Sequence, residues 1–269
     1  MCITCIAVFA VLQSLALAPF QAARAAEQDR PTAPTWIETW SGADIAGGAW
    51  SLYGGATVAP FASLERNGLR LRAAGGYGQY RYDGRPTGST NPALHRYAAQ
   101  VSSAEALIGW QTQLGPLTAK AFVGIASLTH EVDPGITSAL AVVGEDYGVK
   151  GALELWLNLG SSAWVSLDAS WTAAHETYGS RLRLGHRVTP ALSAGLEAAL
   201  NGHAVDTDST NLLPHERPKP AGRAGLFARY EWSGGEVSLS AGLAGNTFEV
   251  ADDLALDNGY ATVNWLTHY

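Results

Sequence analysis

The sequence has almost no cysteine. Its 269 residues include two, Cys2 and Cys5, and both lie in the first few positions. A chain without cysteine beyond that point has no structural disulfides and no thiol chemistry in its folded part. This composition suits a protein that crosses an oxidising compartment before it folds.

A long hydrophobic run is also absent. The longest apolar stretch, Ile3 to Ala18, is shorter and more interrupted than the run of about 20 apolar residues that a membrane-spanning helix needs. Ala23 and Ala25 follow it in a small-x-small pattern, so we expect residues 1–25 to be a secretory signal peptide, although no Lys or Arg precedes the apolar run. Residues 26–34, with Pro31 and Pro34, are predicted to be a short N-terminal tail, and residues 35–269 one domain.

The chain lacks an excess of positive charge. The formal net charge is -7, from 17 Lys and Arg against 24 Asp and Glu. Removal of Arg24 with the signal peptide takes away one basic residue and makes the net charge -8. An acidic protein of this kind is not expected to bind nucleic acid.

Glycine and aromatic residues are abundant, with 30 Gly, 9 Trp and 10 Tyr. Many segments alternate between apolar and polar positions with a period of two. Between residues 163 and 171, for example, Val165 and Leu167 share one face of an extended chain, whereas Ser166 and Asp168 share the other. This pattern is typical of β-strands with one apolar face.

The alternating segments indicate an all-β fold, a transmembrane antiparallel up-and-down β-barrel of about 12 strands. The segments are mostly ten residues or longer, as tilted membrane-spanning strands require. Aromatic residues cluster near their ends, as interfacial girdles do, namely Trp36, Trp50, Trp110, Trp164, Tyr178, Tyr230, Trp232, Trp265 and Tyr269. The predicted strands are 35–45, 49–62, 68–83, 97–114, 117–131, 143–158, 163–175, 178–187, 191–203, 221–232, 236–248 and 258–269.

Connection lengths predict the orientation of this barrel. Short turns are predicted at 64–67, 114–116, 160–162, 188–190 and 233–235, and longer loops at 84–96, 132–141, 203–221 and 249–258. Outer-membrane barrels have short turns on the periplasmic side and longer loops outside. A hairpin at Gly47-Gly48 makes the strand count even and brings both termini to the periplasmic side. The terminal strand, with Trp265 and the final Tyr269 on one face, resembles the end of a bacterial outer-membrane barrel.

The polar faces of the predicted strands point into the barrel and supply the candidate lumen-lining residues. Ten of them are predicted binding candidates: Arg70, Arg72, Tyr80, Tyr82, Lys150, Glu154, Trp156, Asp168, Arg181 and Arg183. Glu105, Lys120, Arg187, Glu197 and Arg229 share the same faces. Two interpretations are open: a salt-bridged filling that compensates buried charge, which the modest barrel size favours, or a pathway for a polar ligand.

Four tryptophans at inward or end positions can stack on the apolar face of a sugar ring. They are Trp36, Trp40, Trp156 and Trp164. A girdle or plug role is the simpler interpretation for Trp164, whereas Trp156 is difficult to explain as a lipid-facing residue.

Catalytic chemistry and cofactors are not predicted. Ser180, His175 and Glu176 are close in sequence, but an ordinary strand turn accounts for them, so a hydrolase or acyltransferase is only a third alternative. Acidic residues at 206, 208, 216, 252 and 253 are expected to be solvated loop charge rather than a calcium site. No metal and no cofactor are expected.

Several segments in order resemble the bacterial cellulose biosynthesis protein BcsS family. They are Trp40–Asp44, Gly68–Arg72, Gly75–Tyr82, His130–Pro134, Lys150 with Leu153–Trp156, Tyr178–Arg181 and Arg223–Phe227. The segment Leu213–Pro218 has no counterpart in this resemblance. The resemblance implies a role in making, exporting or anchoring cellulose, in association with bacterial cellulose synthase operons. It implies no catalytic residue.

Taken together, the sequence predicts a non-enzymatic outer-membrane barrel of the cellulose biosynthesis and secretion system of a Gram-negative cell, which helps to export or anchor this biofilm exopolysaccharide. The expected partners are a cellulose chain, other cellulose secretion components and outer-membrane lipid. The main alternative is a general diffusion porin or small-solute channel unrelated to cellulose.

Overall fold

Twelve antiparallel strands close into a barrel in a computed structural model of the chain. The structure describes residues 34–84, 95–132, 144–203, 221–245 and 258–269. Each strand pairs with its neighbour in sequence, and β1 pairs with β12 to close the ring. The predicted up-and-down barrel of about 12 strands is therefore confirmed. The predicted signal peptide and nearly all of the predicted tail lie outside the described residues.

The strands are long enough to cross a membrane at a tilt. Their bounds are β1 Ile37–Ala46, β2 Ala49–Val58, β3 Gly68–Gly84, β4 His95–Leu114, β5 Leu117–Val132, β6 Gly144–Leu159, β7 Ala163–Thr172, β8 Thr177–Arg187, β9 Leu192–His203, β10 Ala221–Trp232, β11 Gly235–Ala244 and β12 Asn258–His268. No helix in these described ranges is long and apolar enough to cross a bilayer.

Two predicted strands extend too far. The second ends at Val58 rather than at residue 62, because residues 59–67 form a structured turn held by hydrogen bonds. The seventh ends at Thr172 rather than at residue 175, because a short 3-10 turn at Ala174–Glu176 leads into β8.

The β1–β2 hairpin is a tight two-residue turn. Ala46 pairs with Ala49, and Gly47 and Gly48 between them have φ values of 44° and 88°. Two consecutive positive φ angles suit glycine and the type of turn that follows the twist of a hairpin. The predicted hairpin at these two glycines is therefore confirmed.

The outward face is an apolar belt between two groups of aromatic residues. Large aliphatic side chains such as Ile125, Leu196 and Leu226 are about two-thirds exposed there. Trp110, Trp265 and Tyr230 lie outward near the turn end that carries the C-terminus, and Trp50 and Trp171 lie outward near the opposite end. Exposed apolar side chains in this arrangement match a surface that faces lipid.

Trp164 does not belong to these groups. Its side chain is fully buried inside the barrel, so the girdle interpretation is wrong for this residue. It alternates with outward Val165 and shares the inward face with Ser166.

Candidate functional site

The lumen contains a cavity of about 610 Å³, called here the central cavity. Inward side chains of strands from all around the barrel line it, among them Glu38, Trp40, Tyr53, Lys120, Glu154 and Arg181. Its size lies within the range of small-ligand sites. The chemistry of the cavity follows from how its charged residues are paired.

Glu154 of β6 lies between two cations. Its carboxylate is 2.5 Å from the Arg72 guanidinium and 3.6 Å from Lys120 Nζ. Lys120 Nζ is also 3.8 Å from Glu38 of β1, and Glu38 is 3.4 Å from His268. Because Lys120 is on β5, this chain of ion pairs reaches across the lumen from one wall to another.

Two further pairs compensate cations on β6 and β8. Lys150 pairs with Glu105, and Arg181 Nη2 lies 2.9 Å from Asp168. The Arg181–Asp168 pair remains about one-third exposed to the cavity. It is therefore more hydrated than the pairs beside it.

Glu197 is the most deeply buried acid in the described interior. Its side chain has no exposed surface, and Arg183 Nε donates to its carboxylate over 2.6 Å. Ser240 and Tyr260 donate to the same carboxylate at 3.1 and 3.3 Å. Charge and hydrogen-bonding capacity are both satisfied here, as burial of an ion pair requires.

The remaining two cations lie on β10. Arg223 pairs with Asp44 of β1, and Arg229 pairs with Glu236 and, at 2.9 Å, with Glu231. All seven Lys and Arg side chains on the cavity wall thus contact a carboxylate: Arg72, Lys120, Lys150, Arg181, Arg183, Arg223 and Arg229. The interior offers little uncompensated charge to an ionic ligand.

An aromatic stack forms the other main feature of the wall. The rings of Trp156 and Trp164 are stacked, with centroids 4.1 Å apart and an interplanar angle of 22°. Phe227 lies beyond Trp164 at 5.4 Å, and the guanidinium of Arg229 is 4.6 Å from the Trp156 centroid. Trp156 therefore lies inside the barrel, whereas Trp36 is exposed at the end that carries the C-terminus.

Seven of the ten predicted binding candidates line the central cavity: Arg72, Lys150, Glu154, Trp156, Asp168, Arg181 and Arg183. Tyr80 instead lines a second cavity of about 330 Å³ toward the opposite end, where its hydroxyl lies 3.2 Å from His130 Nδ1. Tyr82 is a residue of β3 and pairs with Tyr97 of β4. Its side chain lies outside the described part of the structure. The binding role of these residues stays a prediction.

Arg70 has a different place from the one predicted. Its buried guanidinium donates to the carbonyl oxygens of Leu64 at 3.1 Å and Arg66 at 2.5 Å, in the β2–β3 turn. It does not contribute to the wall of the central cavity, because its side chain is used to fold this turn.

Tyr53 and Asn264 are among the wall residues that the list of predicted candidates omitted. Tyr53 lines the cavity and donates from its hydroxyl to Asn264 Oδ1 at 2.6 Å, and Asn264 lines the cavity as well. Alternation within β2 and β12 places both on the inward face, so the period of two would have found them.

The residues considered for catalysis do not converge. Ser180 alternates with Arg181 on β8 and borders the central cavity, whereas His175 is in the 3-10 turn and its backbone N–H donates to Asp146 at 2.7 Å. No group of three or more His, Cys, Asp or Glu in the described parts of the chain is arranged to hold a metal ion. The acidic loop residues from 206 to 216 and at 252 and 253 lie outside the described residues.

Comparison with protein families matches residues 38–211 to the family described as cellulose biosynthesis protein BcsS. The match covers well over half of the chain and includes every resembling segment noted in the sequence except Arg223–Phe227. No curated protein matches the sequence.

Known structures are similar to this chain at low sequence identity. An outer membrane channel from Pseudomonas putida F1 is 14% identical with a TM-score of 0.51, and the match covers 90% of this chain and 98% of that one. The transport unit of the autotransporter AIDA-I from Escherichia coli is 10% identical with a TM-score of 0.48, covering 90% and 92% of the two chains. LpxR from Salmonella typhimurium is 12% identical with a TM-score of 0.47, covering 87% and 100%.

Proposed function

We propose that this chain, which belongs to the cellulose biosynthesis protein BcsS family, is a non-enzymatic barrel of the outer membrane that helps to export cellulose or to anchor it at the cell surface. The family connects the chain to cellulose biosynthesis. The apolar outward belt with its flanking aromatic residues supports a membrane position. The partners in this role are a cellulose chain and other cellulose secretion components.

The observation that carries the proposal is the charge-compensated central cavity. Cellulose is a neutral polymer of sugar rings, rich in hydroxyl groups. A wall of paired ions offers it hydrogen-bond donors and acceptors without a net field that would select an ionic ligand. A barrel that selected an acidic polysaccharide would need cations free of carboxylate partners.

Export and anchoring differ in where cellulose is found when the barrel is absent. We would delete the gene and quantify insoluble glucan in three fractions: attached to cells, released into the medium and retained inside the envelope. A loss of cell-attached glucan that complementation restores is expected in both cases. Retained glucan indicates export, whereas released glucan indicates anchoring.

Unchanged amounts of cell-attached cellulose in the deletion strain would contradict the proposal. The protein would then be a barrel with another ligand, and the small-solute channel would be the next hypothesis to test. A complementing copy with Ser180→Ala serves as the control for a non-enzymatic role, because the proposal requires that this variant restores cellulose completely.

A further inference from the structure

Four inward aromatic rings lie flat against a glycine directly opposite them on the neighbouring strand. The cross-strand pairs are Trp40 with Gly55, Tyr53 with Gly42, Phe122 with Gly109 and Trp164 with Gly185. A Cβ atom at Gly42 would lie 2.5 Å from the Tyr53 ring, and one at Gly55 would lie 2.6 Å from the Trp40 ring. Each glycine therefore leaves the space that its partner ring occupies.

Two of these rings are covered on the lumen side by another side chain. The guanidinium of Arg72 lies 4.0 Å from the centroid of Phe122. Trp156 stacks on Trp164 at 4.1 Å. Phe122 and Trp164 are consequently buried, and they belong to the packed filling of the barrel.

Trp40 and Tyr53 are not covered in this way. Both are only partly buried and both line the central cavity. In the part of the chain that the structure describes, neither ring has another ring or a guanidinium against it. They lie on adjacent strands in a diagonal relation, which places the two residues about 7–8 Å apart on one face.

The surroundings of Tyr53 hold its ring in place and supply a hydrogen-bond donor. Its hydroxyl donates to Asn264 Oδ1 at 2.6 Å, and its ring occupies the space beside Gly42 where a Cβ atom would lie. The Asn264 amide nitrogen is buried and has no hydrogen-bond partner among the described residues. A buried donor without a partner is costly, so a rotation of the Asn264 side chain that exposes this donor to a ligand hydroxyl oxygen in the cavity is favourable.

We infer that Trp40 and Tyr53, lying on Gly55 and Gly42, form a stacking surface for the sugar rings of a neutral β-glucan, with Asn264 as a hydrogen-bond donor at its edge. This inference rests on the proposed function and adds the site to it. Flat aromatic rings suit the apolar faces of pyranose rings. The paired charges of the cavity favour a neutral glucan over an acidic one.

The test is calorimetric titration of the purified full chain in detergent with cellohexaose. We expect Trp40→Ala and Tyr53→Ala each to weaken binding roughly threefold to tenfold, because each removes one stacking ring. Trp40→Phe and Tyr53→Phe keep a ring and should retain most of the affinity. Trp171→Ala, which removes an outward ring, is the matched control and should bind as the wild type does.

Gly42→Ala tests the glycine directly. The three atoms nearest the added methyl group all belong to the Tyr53 side chain, so we expect it to displace that ring and weaken binding as Tyr53→Ala does, although both aromatic residues remain. Resistance of the unheated barrel to SDS establishes that each variant is folded. Oligogalacturonate of the same length should bind more weakly than cellohexaose.

Two results overturn the inference: no binding of cellohexaose by the folded wild type, or equal binding by the wild type and by both folded alanine variants. Tighter binding of oligogalacturonate would overturn the preference for a neutral glucan. These outcomes are independent of the cellulose content of a deletion strain. A barrel that binds cellohexaose through Trp40 and Tyr53, in cells that keep their cellulose without it, would support the site and contradict the proposed function.

Discussion

Single residues inside the barrel differ in how much stability they provide, because their burial differs. Glu197 has no exposed side-chain surface, whereas Asp168 is 37% exposed. Both carboxylates pair with an arginine of β8, namely Arg183 and Arg181. They therefore form a matched comparison between a buried and a hydrated ion pair.

We expect Glu197→Ala to lower the free energy of unfolding by about 3–5 kcal/mol, because it leaves the Arg183 charge buried without its partner. Asp168→Ala should cost less than about 1 kcal/mol, since Arg181 can be hydrated from the cavity. Urea unfolding in lipid vesicles, followed by tryptophan fluorescence, measures both. Equal losses from the two substitutions would contradict this assignment.

Backbone strain is concentrated at two residues of the turn between β7 and β8. His175 and Glu176 have φ values of 48° and 46°. Non-glycine residues reach this region at a cost of roughly 1–2 kcal/mol each. The Glu176 side chain is exposed, so its replacement disturbs little else.

Glu176→Gly is therefore expected to be more stable than Glu176→Ala by about 1 kcal/mol, because glycine adopts this conformation without the Cβ penalty. The alanine variant controls for the loss of charge. The same vesicle unfolding measurement applies, and an alanine variant as stable as the glycine variant would mean that the turn is not strained at this position.

Among the elements, the β2–β3 turn depends on the side chain of Arg70 for several of its hydrogen bonds. Arg70 donates to several of its carbonyl groups, and Gln111 of β4 donates to Leu64 O at 2.8 Å. Thr35 donates to Glu65. Partial burial alone would raise the pKa of Glu65, but hydrogen bonds from Thr35 and Ser63 lower it below its ordinary value. The turn is thus held by Thr35 before β1, by Arg70 of β3 and by Gln111 of β4.

We expect Arg70→Lys to lower the free energy of unfolding by about 1.5–3 kcal/mol, since an ammonium group cannot reproduce the planar fork of donors. Arg66→Lys is the control, because the Arg66 side chain is exposed and only its carbonyl oxygen accepts from Arg70. Binding of cellohexaose should be unchanged in both variants. A loss of cellohexaose binding in folded Arg70→Lys would contradict a purely structural role and indicate that Arg70 belongs to the ligand site.

The strands and their inward faces could be predicted from the sequence because both follow from a period of two. For Trp164 the alternation gave the right answer and its position near a strand end gave the wrong one. Trp164 shares the inward face with Ser166 and Asp168, but aromatic residues near strand ends are typical of a girdle. Arg70 shows a different limit. It has the inward parity of β3, yet its partners are the carbonyl groups of a turn, which alternation does not describe.

Partners across the lumen could not be predicted from the sequence. Lys120 of β5 pairs with Glu38 of β1, and Arg229 of β10 contacts Trp156 of β6. Such contacts depend on the stagger of the strands around the closed ring, whereas the sequence pattern specifies only neighbouring pairs. The glycines opposite Trp40 and Tyr53 are visible in the sequence, but their pairing requires the register of β1 and β2.

At the scale of the whole molecule, side-chain contacts across the lumen, such as Lys120 with Glu38 and Arg229 with Trp156, narrow the space inside the barrel. We expect the purified barrel to give small conductance steps in planar bilayers and Arg229→Ala to enlarge them, because the contact of Arg229 with Trp156 is lost. Leu226→Ala, which shortens an exposed side chain of the outward face, is the control. Large steady openings of the wild-type barrel, unaltered by Arg229→Ala, would favour a general diffusion pore instead.

The most direct test of a role in cellulose handling is the amount of cell-attached insoluble glucan in a deletion strain complemented with either the wild-type chain or the Trp40→Ala/Tyr53→Ala double variant, at matched levels in the outer membrane. The wild-type chain is expected to restore surface cellulose and the double variant to restore much less. Full surface cellulose in the deletion strain without any complementing copy would contradict the role itself.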